Sequence, residues 1–358
     1  MFTCSPTCRR TGLTALAAIA CAVTMAPSSA SAAAPPAASA HGTPAVTAEA
    51  WQAGRAAVGQ DATAAQAVSS YWTPERMRAA RPVEEAPFYK AAVAKGERQA
   101  EIDQRAGKAK RPGPDGAPFT VPPAESTAGV EAAYNPNLPS TAVTAKTMGK
   151  VFFTQGGANM VCSATVVNTE GLDAVWTAGH CVHGGAGGTY HSNWAFVPAY
   201  DDDLWNPRPY GTWTAWSLNA PAAWRSSSSV YEDIGMAAMN TNFGWHIASY
   251  VGSQGFIANQ GMSIFEDAFG YPAESPFDGG NLFRCWGTSA PEYAQTIKIP
   301  CDMTRGSSGG GWLRSYNGNT GHLNGVVSRI NQIVGPTVMM SPYFDNTALD
   351  LYNATRYL

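Results

Sequence analysis

Charge is scarce in this sequence and nearly balanced, with 23 Lys and Arg against 26 Asp and Glu in 358 residues. A nucleic-acid partner needs a basic face, and nothing in this balance supplies one. From residue 140 onward the excess is acidic, 10 basic against 15 acidic side chains, while residues 33–139 carry 11 of each. Long apolar runs are also missing after the first few dozen residues, so no later segment is long enough to cross a bilayer. No tandem repeat at a fixed short period is visible, which argues against a solenoid.

The one uncharged apolar run, Gly12 to Met25, follows Arg9 and Arg10 and precedes Ala30, Ser31 and Ala32. That is the pattern of a secretory signal peptide over residues 1–32, cleaved after Ala32 and too short to span a membrane. Acylation at Cys21 is the competing reading, disfavoured because Ala18 stands where a larger aliphatic residue is usual. An exported, extracellular chain with no membrane attachment after cleavage is expected. Of seven cysteines, Cys4, Cys8 and Cys21 leave with the signal, and Cys162, Cys181, Cys285 and Cys301 remain. An even number in an exported chain reads as disulfides. Three pairings are open, of which the two local ones, Cys162 with Cys181 and Cys285 with Cys301, are favoured.

Composition changes near residue 140. Residues 33–48 are rich in Ala, Pro and Ser, a composition of disordered chain, and residues 49–110 are rich in Ala, Arg, Lys and Glu with few large apolar side chains. That stretch can form helices but little core. In "YWTPERMRAA" Thr73 is placed as an N-cap, with Pro74 in the first turn. Residues 107–123 read as a Pro/Gly-rich linker, which makes 33–139 a partly helical, partly disordered pro-region. Beyond it, short runs such as "KVFFTQ", "VCSATVV", "AVWTAGH", "NWAFVPAY" and "LNGVVSRI" recur between Gly, Asn, Pro and Asp. They predict antiparallel strands and an all-β domain over 140–358. Only 346–358 has helical spacing, with Leu349, Leu351 and Tyr352 on one face and Asn346 as cap.

Acyl transfer of the serine type needs a hydroxyl, a base to take its proton, and an acid that holds the base in one tautomer. The β-region offers one candidate for each: His180 in "AVWTAGHCV", Asp233 in "SVYEDIGM" and Ser308 in "TRGSSGGGWL". Singly, each has an ordinary explanation, as a core histidine, a strand-end acid and a flexible Gly/Ser loop. Together, in the order His, Asp, Ser, they resemble the trypsin and chymotrypsin-like serine endopeptidases: "TAGHC" against T-A-A-H-C, "EDIGM" against its Asp-Ile strand, "GSSGG" against G-D-S-G-G. The resemblance covers roughly residues 145–358. It implies a chymotrypsin-like double β-barrel, the first about 140–245 and the second about 246–358, with an active cleft between them.

Carried over residue by residue, the resemblance makes Ser308 the nucleophile, His180 the general base and Asp233 the orienting carboxylate. The oxyanion donors are the backbone N–H groups of Gly306 and Ser308. It implies a disulfide ending one residue after the catalytic His, which Cys162 and Cys181 fit, while a bridge from Cys285 to Cys301 pins the loop leading to the nucleophile. Ser328 matches a buried serine near the catalytic Asp and begins a strand along which substrate pairs. A protein or peptide substrate, no cofactor, no metal and a monomer follow, with the pro-region as an inhibitor or folding aid.

The pattern departs at Ser307, where animal members carry the Asp that receives a new N-terminal ammonium. Activation by that salt bridge is therefore not expected, and the departure resembles bacterial members, especially the glutamyl endopeptidase-like branch. Processing is expected between Lys108 and Thr144. Specificity is divided. Asp302, six residues before Ser308, suggests a basic P1 side chain, whereas Arg305 and Arg329 near the cleft suit an acidic one; the histidine of the Glu-specific branch is Val327 here. Two other functional classes were weighed. A catalytically silent protease-shaped binding protein would show itself by loss of a triad residue, and none is missing. An esterase with G-x-S-x-G needs the chain order Ser, Asp, His, and the only later histidine is His322. A metal site from His180, His183, His191 and Asp201 to Asp203 lacks the helical H-E-x-x-H form, and the three aspartates read as a solvated turn.

Overall fold

Thr-initiated helices and β-branched strands divide the chain as the composition suggests. The computed structural model describes residues 41–110, 113–130, 145–293, 295–331 and 337–358. The signal-peptide assignment over 1–32 and residues 33–40 of the Ala/Pro/Ser-rich stretch fall outside these; the rest of that stretch is ordered and not disordered as expected, Gly42 bridging Leu218 and Thr47 N–H donating to Asn193 Oδ1 at 3.0 Å. The stretch expected to be a pro-region forms α1 (Ala48–Val58), α2 (Ala64–Tyr71), α3 (Pro74–Ala79) and α4 (Pro87–Arg105). Between α3 and α4 lie a two-residue strand, β1 (Arg81–Pro82), and a 3₁₀ turn, Val83–Glu85. Threonines cap the first three helices; Thr73 Oγ1 accepts from Arg76 N–H at 3.3 Å, with Pro74 at the first position.

The pro-region contributes more core than its composition suggests. Trp72, Met77 and Val83 are fully buried, and their cluster is continuous with that of the following β-domain. Trp72 lies 5.4 Å from Phe152 and donates its indole N–H to the Asn193 carbonyl at 2.7 Å. Most large apolar residues of this stretch face that core, Val58 and Ile102 excepted, so low overall hydrophobicity concealed a packed face.

Six strands close the first barrel: β3 (Met148–Gln155), β4 (Ala158–Val166), β5 (Ala174–Thr177), β6 (Ser192–Pro198), β7 (Trp213–Asn219) and β8 (Gly235–Met239), in the order β4-β3-β6-β7-β8-β5, with β5 returning to β4. β1 adds to the outer edge of β4 in parallel, Arg81 opposite Met160. The second half comprises β9 (Gly255–Ala258), β10 (Phe265–Gly270), β11 (Phe283–Thr288), β12 (Ala290–Pro291), β13 (Thr296–Pro300), β14 (Gly311–Arg314), β15 (His322–Val326), β16 (Arg329–Asn331) and β17 (Val338–Pro342). They form a second barrel split into a six-stranded sheet, β11-β10-β14-β15-β9-β2, and a four-stranded sheet, β12-β13-β17-β16, around a core containing Ile297, Trp312 and Met339.

Two expectations need correction. The end of the expected linker is the strand β2 (Phe119–Val121), antiparallel to β9; Phe119 packs 5.7 Å from Tyr352, so an apolar β-forming triplet between turn residues finds an edge to complete. The last helix, Asn346–Thr355, is capped by Asp345, whose carboxylate accepts from Thr347 N–H at 2.8 Å. Asn346 is the first helical residue instead, its side-chain oxygen taken by Asn259 at 2.8 Å.

Candidate active site

His180 sits in a 3₁₀ turn, Gly179–Cys181, directly after β5. The turn needs Gly179, because a Cβ there would stand 2.9 Å from the Trp224 ring and 3.0 Å from Asp233 Oδ1. Asp233 follows the turn Val230–Glu232 at the mouth of β8. Its carboxylate receives three hydrogen bonds: His180 backbone N–H to Oδ1 at 2.8 Å, His180 Nδ1 to Oδ2 at 2.8 Å, and Ser328 Oγ to Oδ2 at 2.6 Å. Each is buried. An ionised acid accepting from Nδ1 leaves Nε2 as the imidazole's free lone pair, aimed away from the acid. His180 Nε2 is buried and has no hydrogen-bond partner among the described residues.

Ser308 belongs to the loop before β14. Gly306 has φ 98° and Gly309 φ 82°, left-handed values that suit glycine; a Cβ on Gly309 would lie 2.0 Å from Thr177 Oγ1. One residue of the other barrel holds this loop. Ser163, on β4, donates its hydroxyl to the Gly306 carbonyl at 3.0 Å, accepts from Tyr271 N–H at 2.9 Å, and takes the Ser308 carbonyl on its own N–H at 2.6 Å. The Cys162–Cys181 bridge beside it, with S–S 2.04 Å, ties β4 to the His180 turn, and Cys285–Cys301 joins β11 to the approach to the loop.

The pro-region enters this array at Glu84. Ser308 Oγ donates to Glu84 Oε1 at 2.6 Å, and Gly306 N–H donates to both carboxylate oxygens at 3.2 and 3.3 Å. Burial pushes the Glu84 carboxyl above the ordinary carboxylate value, outweighing the Ser308 hydrogen bond and the His180 charge that favour ionisation. Tyr89, early in α4, lays its ring edge-on to His180 with centroids 4.7 Å apart and directs its hydroxyl to the Ser328 carbonyl at 3.4 Å. Sequence reading missed Glu84, Tyr89 and Ser163. The signal for Glu84 was slight: an acidic pair, "VEE", between Pro82 and Pro87.

The substrate-pocket candidates separate. Ser328 is bonded to Asp233, as above, and Arg329 is buried on the wall of a cavity of about 530 Å³ that also contains Ser308. Asp302, expected at a pocket base, is exposed and off that wall, in the loop after β13 between the buried Cys301 and Met303. Arg305 is exposed and paired with Glu274 at 2.9 Å. His191 bonds the His180 carbonyl at 2.9 Å through Nε2 and stacks on Phe153 at 4.2 Å; burial takes it down to about 3, so it stays neutral. His183 is held down to about 4 by burial and Arg225. Asp202 pairs with Arg78 of α3 at 2.7 Å, and Asp203 accepts from Asn281 at 3.2 Å. The cluster of Cys162, His180 and Cys181 offers no thiolate, since its sulfurs are joined to each other.

Two barrels with His and Asp on the first and Ser on a loop of the second define the chymotrypsin-like class of fold. No protein-family model and no curated protein matches the chain. Among solved structures, the thermostable serine protease AL20 from an extremophilic microorganism is 35% identical over 59% of this chain and 97% of its own, with a TM-score of 0.56. Protease Anisep from Arthrobacter nicotinovorans is 39% identical over 61% of this chain and 98% of its own, with the same TM-score. A Glu endopeptidase in complex with MPD matches at 16% identity, over 65% of this chain and 100% of its own, with a TM-score of 0.48. The chain belongs to the trypsin/chymotrypsin-like serine proteases of bacteria.

Proposed function

We propose that the chain is a secreted serine endopeptidase, made as a precursor whose pro-region closes the active site. Ser308 Oγ attacks the scissile carbonyl carbon while His180 Nε2 takes the hydroxyl proton. Asp233 holds the imidazole in the Nδ1–H tautomer and stabilises the imidazolium that forms. The oxyanion is received by the N–H groups of Gly306 and Ser308. His180 then protonates the leaving amine, and a water, deprotonated by the same imidazole, releases the acyl group and returns the proton to Ser308.

The observation that carries this reading is the shared burial of His180, Asp233 and Ser308 at one junction, with His180 Nε2 left free. Glu84 supports the precursor reading, since its carboxylate takes both the Ser308 hydroxyl and the Gly306 N–H, an oxyanion donor. With Tyr89 over His180, no peptide carbonyl fits until this segment leaves. The signal-like start supports export. The solved relatives align with about three fifths of the chain, the share that residues 140–358 represent, which supports processing between Lys108 and Thr144.

The test is cleavage of a fluorogenic peptide library by the secreted, processed protein beside Ser308→Ala, with N-terminal sequencing of the mature form. Cleavage by the wild type alone supports the reading. Silence of both proteins despite correct processing and folding favours a protease-shaped binding protein.

A further inference from the structure

We infer that Arg329 forms an anion-recognition subsite, which selects substrates with an Asp or Glu side chain two to four residues upstream of the scissile bond. The inference rests on the endopeptidase reading above and adds to it a substrate class.

Arg329 is 3% exposed, and its guanidinium is only partly engaged. Nη1 donates to the Tyr293 hydroxyl at 3.0 Å, while Nε and Nη2 have no partner among the described residues. A guanidinium keeps its charge at any working pH and presents its donors in a fork matched to a carboxylate. Buried and half-satisfied, such a cation is costly unless an anion joins it at some stage of function. One carboxylate already approaches: Glu97 Oε1 stands 3.6 Å from Nη1, too far for a good hydrogen bond, on a side chain 44% exposed. Glu97 lies on α4, so it departs with the pro-region and leaves Arg329 without a counter-charge.

Of the other charged groups lining the cavity, Glu84, Lys90 and Glu97 belong to the proposed pro-region and leave with it, and the rest are committed. Glu292 is paired with Lys298, and Arg305 with Glu274. The free guanidinium donors of Arg329 are therefore the unmet electrostatic demand of the cavity it shares with Ser308.

The position along a substrate follows from the strands. β16 begins at Arg329 and ends the order β12-β13-β17-β16, so among the described residues its outer edge is unpaired and open to an added peptide strand. Tyr89 marks the catalytic histidine and Glu97 marks Arg329; eight helical residues separate them, about 12 Å at 1.5 Å per residue. Extended chain advances about 3.3 Å per residue, which sets the acidic side chain roughly three residues, and not one, from the reacting carbonyl.

The experiment uses the processed enzyme and fluorescence-quenched peptides with one fixed scissile bond, in which Glu replaces Gln at each of the four upstream positions in turn. The expected result is a kcat/KM ratio, Glu over Gln, of about tenfold or more at one position between two and four upstream. Arg329→Gln brings that ratio close to one, and Arg329→Lys keeps part of it. Equal cleavage of Glu and Gln peptides at all positions, a preference confined to the residue at the scissile bond, or a preference that survives in a folded Arg329→Gln protein overturns the inference. Should no peptide be cut at all, the endopeptidase reading fails separately. The subsite is then judged by binding of the same labelled peptides to processed Ser308→Ala: Glu favoured by wild-type Arg329 and not by Arg329→Gln supports it, and indifference overturns it.

Discussion

The Ser308 hydroxyl donates to Glu84 Oε1 at 2.6 Å, and the imidazole nitrogen of His180 that would receive its proton has no partner. On the proposed reading, the first proton transfer is intercepted in the precursor. Glu84 also covers the Gly306 N–H, so one side chain from the proposed pro-region would block both the proposed nucleophile and its oxyanion donor.

Removing that carboxylate is expected to expose the nucleophile. In the unprocessed chain at pH 5, Glu84→Ala strips partners from a buried hydroxyl and a buried N–H, roughly 1–3 kcal/mol of docking. Labelling of Ser308 by a fluorophosphonate should then run about tenfold faster or more than in the wild-type precursor. Equal rates would place the block elsewhere, on Tyr89 or the rest of α4.

The same contact has a pH signature. Burial raises the docked Glu84 carboxyl above its free value near 4.5, so the docked state holds its proton more tightly than the released one. Docking is fullest below the free value and weakens as pH rises through the raised one. His180 also faces the docked Glu84 and is present in both proteins, so the ratio of their labelling rates isolates Glu84. The ratio of labelling rates, wild-type precursor over Glu84→Ala, is therefore expected to climb with pH, and a flat ratio from pH 4 to 8 would show that Glu84 docking is not linked to its proton.

Asp233→Asn in the processed enzyme replaces an acceptor of three hydrogen bonds with a group having one acceptor oxygen. The wrong histidine tautomer is the expected consequence, with kcat down by about 10⁴-fold and little change in thermal midpoint. A loss below tenfold would remove Asp233 from the orienting role.

Trp72 separates the precursor from the mature enzyme. Its removal in Trp72→Ala opens a fully enclosed site beside Phe152 and costs about 3–5 kcal/mol. On a Ser308→Ala background the urea midpoint of the full chain should fall accordingly, while on the wild-type background the activity of the mature enzyme recovered stays unchanged. A slower mature enzyme would mean that Trp72 acts on the final barrel.

Replacing Cys162 and Cys181 together by Ser opens a loop with sequence separation 19. About 3 kcal/mol of stability should be lost, read as a lower midpoint in denaturant, and kcat should fall because the bridge anchors the His180 turn.

The fold was legible, and the three side chains proposed to react could be picked out, because their signals are local. Strands announced themselves by short β-branched and aromatic runs, and the "TAGHC", "EDIGM" and "GSSGG" stretches each need only a few neighbours to shape their turn. Asp302 lies exposed in the loop after β13, between buried Cys301 and Met303, a placement its spacing to Ser308 does not reveal. Asn346 failed as the cap by a single position, where Asp345 supplied the carboxylate.

What the sequence determined by itself is the strand texture and the local turns that carry the proposed hydroxyl, imidazole and carboxylate. Only the tertiary structure decided which residues from elsewhere meet them. Glu84 reaches Ser308 across 224 positions of chain, Ser163 crosses from one barrel to hold the nucleophile loop of the other, and Glu97 comes to Arg329. Such long-range meetings are set by how two barrels and four helices pack, and packing depends on the summed burial of many side chains.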